Sequence, residues 1–262
     1  MKQIIAFSIF LFLTSTIFSQ KVEERRDLKK YFDEYGHEGC FILYDLKKDS
    51  YLKYNPERCK ERFIPASTFK IFNSLVGLET GAVKDVFEVF KWDSVKRSYD
   101  SWNQDLDMVN AFKYSGVWYY QELARRIGEE KMQHYISLNH YGNKDISGSI
   151  DMFWLDGGLR ISADEQIEFL KKLYQNELKF SRRSMDIVKQ IMIYEETEEY
   201  IIRAKTGWAL RVEDQVGWFV GYIEKGNDVY FFAINVQSKN PEEGFVSRKD
   251  ITFKILKELG IL

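Results

Sequence analysis

Ser67 and Lys70 are the two residues of this chain whose types and spacing could do nucleophilic chemistry. They lie three positions apart at the start of a predicted helix over 66–79, and this spacing puts two side chains on one helix face. A serine hydroxyl becomes a nucleophile when a base removes its proton, and a desolvated, neutral lysine can be that base. The pair predicts a serine nucleophile with a lysine base. The alternative is an N-capping serine beside a solvated lysine.

Two short motifs downstream contain further candidates. Ser115-Gly116-Val117 lies within a predicted helix over 108–127, where a Ser-Gly step is typical of a bend or of close packing. Lys205-Thr206-Gly207, followed by Trp208, lies on a predicted strand. A strand edge offers backbone N–H groups, the lysine a cation, and the glycine room for a ligand to approach the backbone. The alternative for this motif is an ordinary exposed strand end.

Strand patterns at both chain ends and helical patterns between them must position these motifs. Turn residues, and runs that are aromatic and β-branched on both faces, predict an N-terminal hairpin and three C-terminal strands, over 40–45, 51–54, 200–208, 216–224 and 228–236. Apolar residues at helical spacing predict helices over 66–79, 108–127, 163–174 and 247–259. Ser162, with Glu165 three residues later, caps the third of these helices.

This order of elements predicts an α+β fold. One antiparallel sheet is built from both chain ends and covered by helices, and the residues between them form a mainly helical lobe. Ligand sites occur preferentially in clefts between such parts. We therefore expect the site at the junction of the sheet and the helical lobe.

The N-terminal residues have the pattern of a secretory signal peptide. Residues 1–19 contain one lysine, an apolar stretch and a small residue, Ser19, at a plausible cleavage point. Later apolar runs are broken by charge within about ten residues, which is too short for a membrane span. The prediction is a single catalytic domain over 20–262 that is periplasmic or secreted and is not held in the membrane after cleavage.

Charge and composition exclude several classes of partner. The formal net charge is −2, and lysines and arginines are interspersed with acids, so we expect no nucleic-acid partner. His37, His134 and His140 do not have metal-ligand spacing, so no metal is predicted. Cys40 and Cys59 flank the predicted hairpin, and antiparallel pairing would bring them side by side. In an oxidising compartment two such cysteines can form a disulfide. The alternative is two unlinked thiols.

Taken together, the motifs resemble one enzyme family. Ser-x-x-Lys, Ser-x-Val and Lys-Thr-Gly occur in the order found in the active-site serine penicillin-recognising family. Tyr141-Gly142-Asn143 and Phe153-Trp154-Leu155 make the chain similar to the class D β-lactamases, or oxacillinases, within it. The resemblance spans nearly all of residues 20–262. It implies a β-lactamase/transpeptidase-like fold and hydrolysis of β-lactam antibiotics, which confers resistance.

The resemblance also implies a role for each motif residue. Ser67 would attack the lactam carbonyl, with the N–H groups of Ser67 and Trp208 as oxyanion hole. Lys70 would be carbamylated (N6-carboxylysine) and act as the general base, so the one small molecule needed is carbon dioxide or bicarbonate. Ser115 would relay a proton to the leaving nitrogen. Trp154 would donate to the carbamate.

The remaining implied roles concern the pocket and the substrate. Val117, Trp154 and Leu155 would line the lysine pocket. Lys205, Thr206 and Arg248 would bind the substrate carboxylate beside Gly207. The loop 211–215 borders the substrate side, Tyr99 and Trp102 form the opposite rim, and their identity sets which β-lactams fit.

The same resemblance implies a partner, an assembly state and two alternative functions. The expected partner is a small-molecule β-lactam, and the protein is expected to be a monomer or a homodimer. A β-lactam sensor domain or a penicillin-binding transpeptidase would carry the same motifs and acylate without efficient turnover. Those proteins are usually attached to a membrane segment, which separates them from a hydrolase.

Overall fold

One mixed sheet and nine helices form the described part of the chain. This computed structural model describes residues 21–213, 215–237 and 241–262, and the side chains of 241–245 are not described. The predicted signal peptide, residues 1–19, lies outside the described residues. The strands are β1 (Lys21–Glu24), β2 (Glu38–Asp45), β3 (Ser50–Tyr54), β4 (Ile193–Glu196), β5 (Ile201–Ala209), β6 (Val216–Lys225) and β7 (Asp228–Gln237). The helices are α1 (Lys29–Asp33), α2 (Pro56–Lys60), α3 (Lys70–Glu79), α4 (Met108–Lys113), α5 (Val117–Ile127), α6 (Glu129–Leu138), α7 (Ala163–Gln175), α8 (Arg182–Ile191) and α9 (Pro241–Glu258).

The sheet joins the two ends of the chain, as predicted. Its strand order is β1-β3-β2-β7-β6-β5-β4. The N-terminal hairpin β2–β3 meets the C-terminal strands where β2 pairs antiparallel with β7. All other pairs are antiparallel except β1 with β3. The short strands β1 and β4, one at each edge, lie outside the predicted strands.

Helices cover both faces of the sheet because the strands alternate their side chains between two apolar layers. Phe219 and Ile223 of β6 pack in the layer with helices α1 and α9, whereas Trp218 and Tyr222 pack with α7 and the helical lobe. Side chains of a strand point alternately to its two faces. A strand that is apolar at successive positions is therefore buried on both sides, and the α+β prediction is confirmed.

The capping box predicted for α7 is confirmed, whereas α9 begins earlier than predicted. Ser162 accepts a hydrogen bond from the N–H of Glu165, and the Glu165 carboxylate accepts one from the Ser162 N–H, so the capping box is complete. Helix α9 begins at Pro241 instead of 247. A proline at the first helical position is compatible with a helix start, since its missing N–H would have no partner there.

Two predicted helices differ from the observed ones at the motifs themselves. Residues 66–69 form a 3₁₀ turn that leads into α3 at Lys70. The predicted helix over 108–127 is two helices, α4 and α5, with Ser115 at φ +58° between them. That left-handed conformation cannot continue an α-helix. The Ser-Gly step is therefore a break in the helix, and it turns Ser115 out of the helical ladder.

The predicted disulfide between Cys40 and Cys59 is wrong for this structure. Both cysteines are buried free thiols. The paired part of the hairpin ends at Phe41 and Tyr54, and Cys59 follows on α2 instead of standing opposite Cys40 on β3. Its Sγ lies 3.8 Å from the Phe41 carbonyl oxygen and 3.7 Å from that of Tyr54. The two thiols are nevertheless neighbours, because a hydrogen bond with Cys40, together with burial, raises the pKa of Cys59.

Candidate active site

The nucleophile turn places Ser67 next to a lysine that is removed from water. Nζ of Lys70 lies 2.7 Å from Oγ of Ser67, and Lys70 has no exposed surface. Burial lowers the pKa of Lys70 well below the ordinary lysine value, and the cations Lys205 and Arg211 lower it further. Burial thus favours the neutral amine, and the nitrogen of a neutral lysine can accept the Ser67 proton.

Hydrogen bonds from two other segments hold the turn that carries Ser67. Ala66 has φ +48°, and its N–H donates to the Trp154 carbonyl at 3.0 Å. The Thr68 hydroxyl donates to the Pro65 carbonyl at 2.8 Å and accepts from Nε2 of Gln166 at 2.9 Å. These bonds fix a backbone conformation that alanine rarely adopts. The nucleophile is held by tertiary contacts as well as by the helix that follows it.

An aromatic shell dries the pocket of Lys70. Its Nζ lies 5.3 Å from the ring centre of Tyr120, whose hydroxyl hydrogen-bonds to Ser74 at 2.9 Å. Phe69 stacks on Trp154 with 5.4 Å between ring centres. The apolar surroundings explain why the amine loses its charge, since a buried ammonium group has no water to solvate it.

Trp154 leaves one buried donor without an acceptor. Its indole Nε1 has no hydrogen-bond partner among the described residues, although the side chain has no exposed surface. Buried polar groups are hydrogen-bonded in the great majority of cases. An anionic group on Lys70 would supply the missing acceptor, because Trp154 packs directly on Phe69, the neighbour of that lysine. The donor set in this pocket therefore fits a carbamate.

The strand β5 lies against the nucleophile turn with one backbone edge free. Strand β4 pairs with β5 only from Ile201 to Arg203, so among the described strands none covers that edge between Lys205 and Ala209. A Cβ on Gly207 would lie 2.9 Å from the Pro65 oxygen and 3.1 Å from Cγ2 of Thr68. Only a glycine allows this approach. Ser67 and Trp208, on the two sides of this contact, both line one cavity.

Two further cations border the site on the sheet side. Lys205 is 5% exposed, and its Nζ donates to the Thr206 carbonyl at 3.2 Å. Burial, and then the charge of Arg248, lowers the pKa of Lys205 to about 7. Arg248 is also buried, with its guanidinium carbon 5.3 Å from the ring centre of Trp208. Cations in such surroundings attract an anionic ligand strongly, because little water competes for them.

A cavity of about 630 Å³ opens above these residues. The sequence-predicted residues among its walls are Ser67, Ser115, Val117, Leu155, Thr206, Gly207, Trp208 and Arg248. Lys70, Trp154 and Lys205 lie buried behind that surface. The predicted rim residues Tyr99 and Trp102 also line the cavity, with their ring centres 4.8 Å apart. All predicted site residues thus belong to one place.

Sequence reasoning missed two positions that support the site. Tyr120 covers the lysine, and no motif spacing marks it. Gln166 supports the nucleophile turn, and here a signal was present. It occupies a position on the apolar face of α7, between the buried residues Ala163 and Leu170. A buried glutamine on a core-facing stripe must find hydrogen-bond partners, so it marks a polar contact.

Known proteins with a similar sequence and fold show the family. The family described as penicillin binding protein transpeptidase domain matches residues 29–257. The chain is 46% identical to the β-lactamase OXA-48 of Klebsiella pneumoniae, over 92% of this chain and 90% of that protein. It is 41% identical to a class D β-lactamase structure from Fusobacterium nucleatum subsp. polymorphum, with a TM-score of 0.88 over 92% of this chain and 100% of the other.

This chain belongs to the class D β-lactamases.

Relatives from other sources extend the match within this family. A class D β-lactamase structure from Nostoc is 45% identical, with a TM-score of 0.87 over 91% of this chain and 100% of that chain. A probable β-lactamase of Bacillus subtilis, YbxI, is 45% identical over 86% of this chain and 82% of that protein. The resemblance identified from the motifs is confirmed. Within the described residues, no helix has the length and apolar character needed to cross a membrane.

Proposed function

We propose that the protein hydrolyses β-lactam antibiotics through an acyl-enzyme on Ser67 and thereby confers resistance to them. The observation that carries the proposal is the 2.7 Å contact between Ser67 and a fully buried lysine, at the base of a cavity bordered by cations. Acyl transfer needs an activated nucleophile, an oxyanion hole and a proton for the leaving group. The class D family membership supports the β-lactam as substrate.

Acylation begins when the general base at Lys70 removes the proton of the Ser67 hydroxyl. The serine oxygen then forms a bond to the lactam carbonyl carbon, and the carbonyl oxygen becomes anionic. The N–H groups of Ser67 and Trp208 donate to this oxygen, which stabilises the transition state. The C–N bond of the lactam then breaks, and Ser115, which shares the cavity, passes a proton to the leaving nitrogen.

Lys70 is the general base, and we propose that it works as its carbamate, formed with carbon dioxide. Only a neutral amine adds carbon dioxide, and burial favours the neutral form of Lys70 by lowering its pKa. When present, the carbamate supplies an anionic oxygen base beside Ser67 for both acylation and deacylation. The indole N–H of Trp154 is the buried donor that would hold it, and Val117 and Leu155 keep water away from it.

The substrate carboxylate binds on the sheet side of the cavity. Arg248 and Lys205 supply the positive charge and the Thr206 hydroxyl a further donor. Arginine suits this task, because its planar fork matches the two oxygens of a carboxylate. Gly207 lets the substrate lie close to the backbone of β5. No metal or organic cofactor takes part in this proposal.

We also propose that the protein is exported and works as a monomer or a homodimer, in the periplasm or outside the cell. Cleavage after residue 19 would release residues 20–262 from the membrane. We propose no nucleic-acid partner for the released protein. N-terminal sequencing of the protein from the exported fraction tests the cleavage. Residue 1 still present, or recovery in the membrane fraction, would contradict it.

The test of the proposed function combines turnover with intact mass. Residues 20–262 are incubated with a chromogenic cephalosporin, with and without bicarbonate, after acid treatment and recovery. We expect many turnovers, and more with bicarbonate. Ser67→Ala removes the attacking oxygen, so covalent labelling by a penicillin should disappear, whereas Ser137→Ala on the exposed face of α6 should label normally. One stable adduct without turnover would indicate a sensor or transpeptidase.

Two pocket variants test the role of Lys70 itself. Lys70→Ala should stall at the acyl-enzyme, because the deacylating base is gone, and its acyl mass should persist. Trp154→Phe keeps an aromatic ring next to Phe69 but removes the indole donor, so its activity should need more bicarbonate than the unaltered protein. Normal turnover by Lys70→Ala, or equal bicarbonate dependence of Trp154→Phe, would argue against the carbamate.

A further inference from the structure

We propose that Arg211 is a second anion-binding point of the cavity, which favours β-lactams whose acylamino side chain carries its own carboxylate or sulfonate. This inference deepens the proposed function and rests on it. Arg211 lies in the turn directly after β5 and is a wall residue of the cavity. It would determine specificity by binding the substrate, and it would act on the chemistry at Ser67 only through its charge, which helps to lower the pKa of Lys70.

The cavity holds more positive charge than one substrate carboxylate requires. Three arginines, Arg97, Arg211 and Arg248, are among its described wall residues, and none of those wall residues is acidic. Arg97 is already neutralised, since its guanidinium makes two hydrogen bonds to the Asp93 carboxylate at 2.8 and 2.7 Å. Arg248 is buried at the place of the ring carboxylate. Arg211 is the arginine whose charge remains.

Arg211 is exposed and has no internal partner in the part of the chain that the structure describes. Neither a hydrogen bond nor an ion pair joins it to another described residue, and its side chain borders open space. A solvated guanidinium at the wall of a cavity can bind a ligand anion without first breaking an internal ion pair. It also needs little desolvation, because the anion can approach from the open side.

The charge of Arg211 acts on the base of the reaction, Lys70. It contributes to lowering the pKa of Lys70, after burial and Lys205. Arg248 acts instead on the pKa of Lys205. The two arginines also come from different elements, Arg211 from the turn after β5 and Arg248 from α9, and both line the cavity.

This separation matches the layout of a penicillin. The ring carboxylate and the acylamino group lie at opposite ends of the bicyclic nucleus. With the lactam carbonyl at Ser67 and the ring carboxylate at Arg248, the acylamino group points away from Arg248. A negative charge near the start of that group would come within the field of Arg211.

The neighbouring wall can hold the apolar part of such a side chain. Tyr99 is 46% exposed and Leu210 is 49% exposed, and both line the cavity with Trp102. Exposed apolar side chains of this size around a cavity are typical of a binding surface. An aryl group could pack on this rim while a carboxylate next to it pairs with Arg211.

Benzylpenicillin and carbenicillin provide a matched pair of substrates, because they differ by one carboxylate on the side-chain α-carbon. For Arg211→Ala we expect the KM of carbenicillin to rise about fivefold, the effect of losing a solvent-exposed ion pair. The KM of benzylpenicillin should stay within about twofold, a change below that of such a pair. Arg211→Lys should retain part of the preference for carbenicillin. Arg182→Ala, an equal loss of charge on α8, should leave the KM of both substrates unchanged.

The salt dependence of the same rates gives a second readout. In the unaltered protein, the ratio of kcat/KM for carbenicillin over benzylpenicillin should fall as salt screens Arg211, and in Arg211→Ala it should not change. Equal effects of Arg211→Ala on both substrates would overturn the proposal and assign Arg211 to the electrostatics of Lys70. Absence of benzylpenicillin turnover by the unaltered protein would instead overturn the proposed function.

Discussion

Two buried lysines define the chemistry at the residue scale. Lys70 and Lys205 each lose solvation on burial, and Lys205 also lowers the pKa of Lys70. A buried ammonium group that has no carboxylate partner is costly, and the site contains no acid among its described wall residues. The protein thereby keeps one amine neutral for proton transfer and concentrates positive potential where oxyanion and carboxylate charges arise.

The pKa of Lys205 predicts a pH dependence of substrate binding. That pKa is lowered to about 7, so the ammonium form is present below pH 7 and is lost from the free enzyme as the pH rises through it. We therefore expect kcat/KM for benzylpenicillin to fall on the alkaline side of pH 7, because one of the two cations that we propose for binding the carboxylate has become neutral. The measurement is kcat/KM from pH 5.5 to 9, which reports ionisations of the free enzyme.

Lys205→Arg is the control for this pH profile. A guanidinium keeps its charge over the whole range, so the alkaline decrease should be absent or move to higher pH. An alkaline limb that is the same in Lys205→Arg and in the unaltered protein would assign the ionisation to another group.

At the element scale, the free edge of β5 and the nucleophile turn form one unit. The strand contributes Lys205 to Trp208, and it reaches the turn because Gly207 has no side chain. On the other side of the cavity, the break between α4 and α5 presents Ser115. Catalytic groups from three elements meet because each element ends or opens at the cavity.

Gly207→Ala should disrupt this unit. The added Cβ would lie 2.9 Å from the Pro65 oxygen, so β5 must move away from the turn and take the Trp208 N–H with it. Loss of an oxyanion-hole donor costs about 10²-fold to 10³-fold in kcat, and we expect a decrease of about 10²-fold in turnover of a chromogenic cephalosporin. Kinetics and thermal unfolding are measured on the same preparation.

Gly81→Ala separates a loss of stability from a loss of site geometry. Gly81 has φ +69°, and an added Cβ there meets no atom within 4 Å, so the variant strains the backbone without touching the site. It should unfold at a lower temperature and keep its kcat. A Gly207→Ala variant with unchanged kcat would show that β5 and the turn are not coupled in this way.

At the scale of the whole molecule, pairing of β2 with β7 joins the chain ends into one sheet. A buried contact strengthens this joint. The Arg58 guanidinium of α2 donates to Oδ1 of Asn235 at 3.1 and 2.9 Å and to Oε1 of Gln237 at 3.1 Å. Arg58 also lies over the ring of Phe63, 4.5 Å from its centre. N-terminal and C-terminal segments are thereby held together by polar contacts as well as by the apolar layers.

Arg58→Ala should destabilise the fold and leave the chemistry intact. It leaves the buried oxygen of Asn235 without its donor, and an unsatisfied buried group costs about 1–3 kcal/mol. We expect the free energy of unfolding in urea to fall by about 2 kcal/mol, with kcat/KM for benzylpenicillin unchanged. Arg26→Ala, at a fully exposed arginine, should leave both quantities as they are. A variant of Arg58 that lost activity but not stability would contradict this assignment.

The sequence by itself determined the features that depend on local patterns. Runs of aromatic and β-branched residues predicted β5, β6 and β7 within about one residue of their ends, and the Ser162–Glu165 capping box placed the start of α7. The motifs determined the family, and nine of the ten predicted site residues lie in them, whereas Arg248 was placed by its position after the last strand; the roles of all ten stay predictions. These signals need no knowledge of what packs against them.

The tertiary structure alone decided the features that depend on distant neighbours. The positive φ of Ser115 splits a segment whose apolar spacing suits one continuous helix, because packing can impose a conformation that local preference disfavours. Hairpin symmetry suggested a disulfide, but Cys59 reaches Cys40 from α2 and both remain free thiols. The burial of Lys70, and the cavity that Arg211 and Arg248 both line, come from segments far apart in the chain. Desolvation and electric fields are set by what surrounds a group in space, so no spacing in the sequence could reveal them.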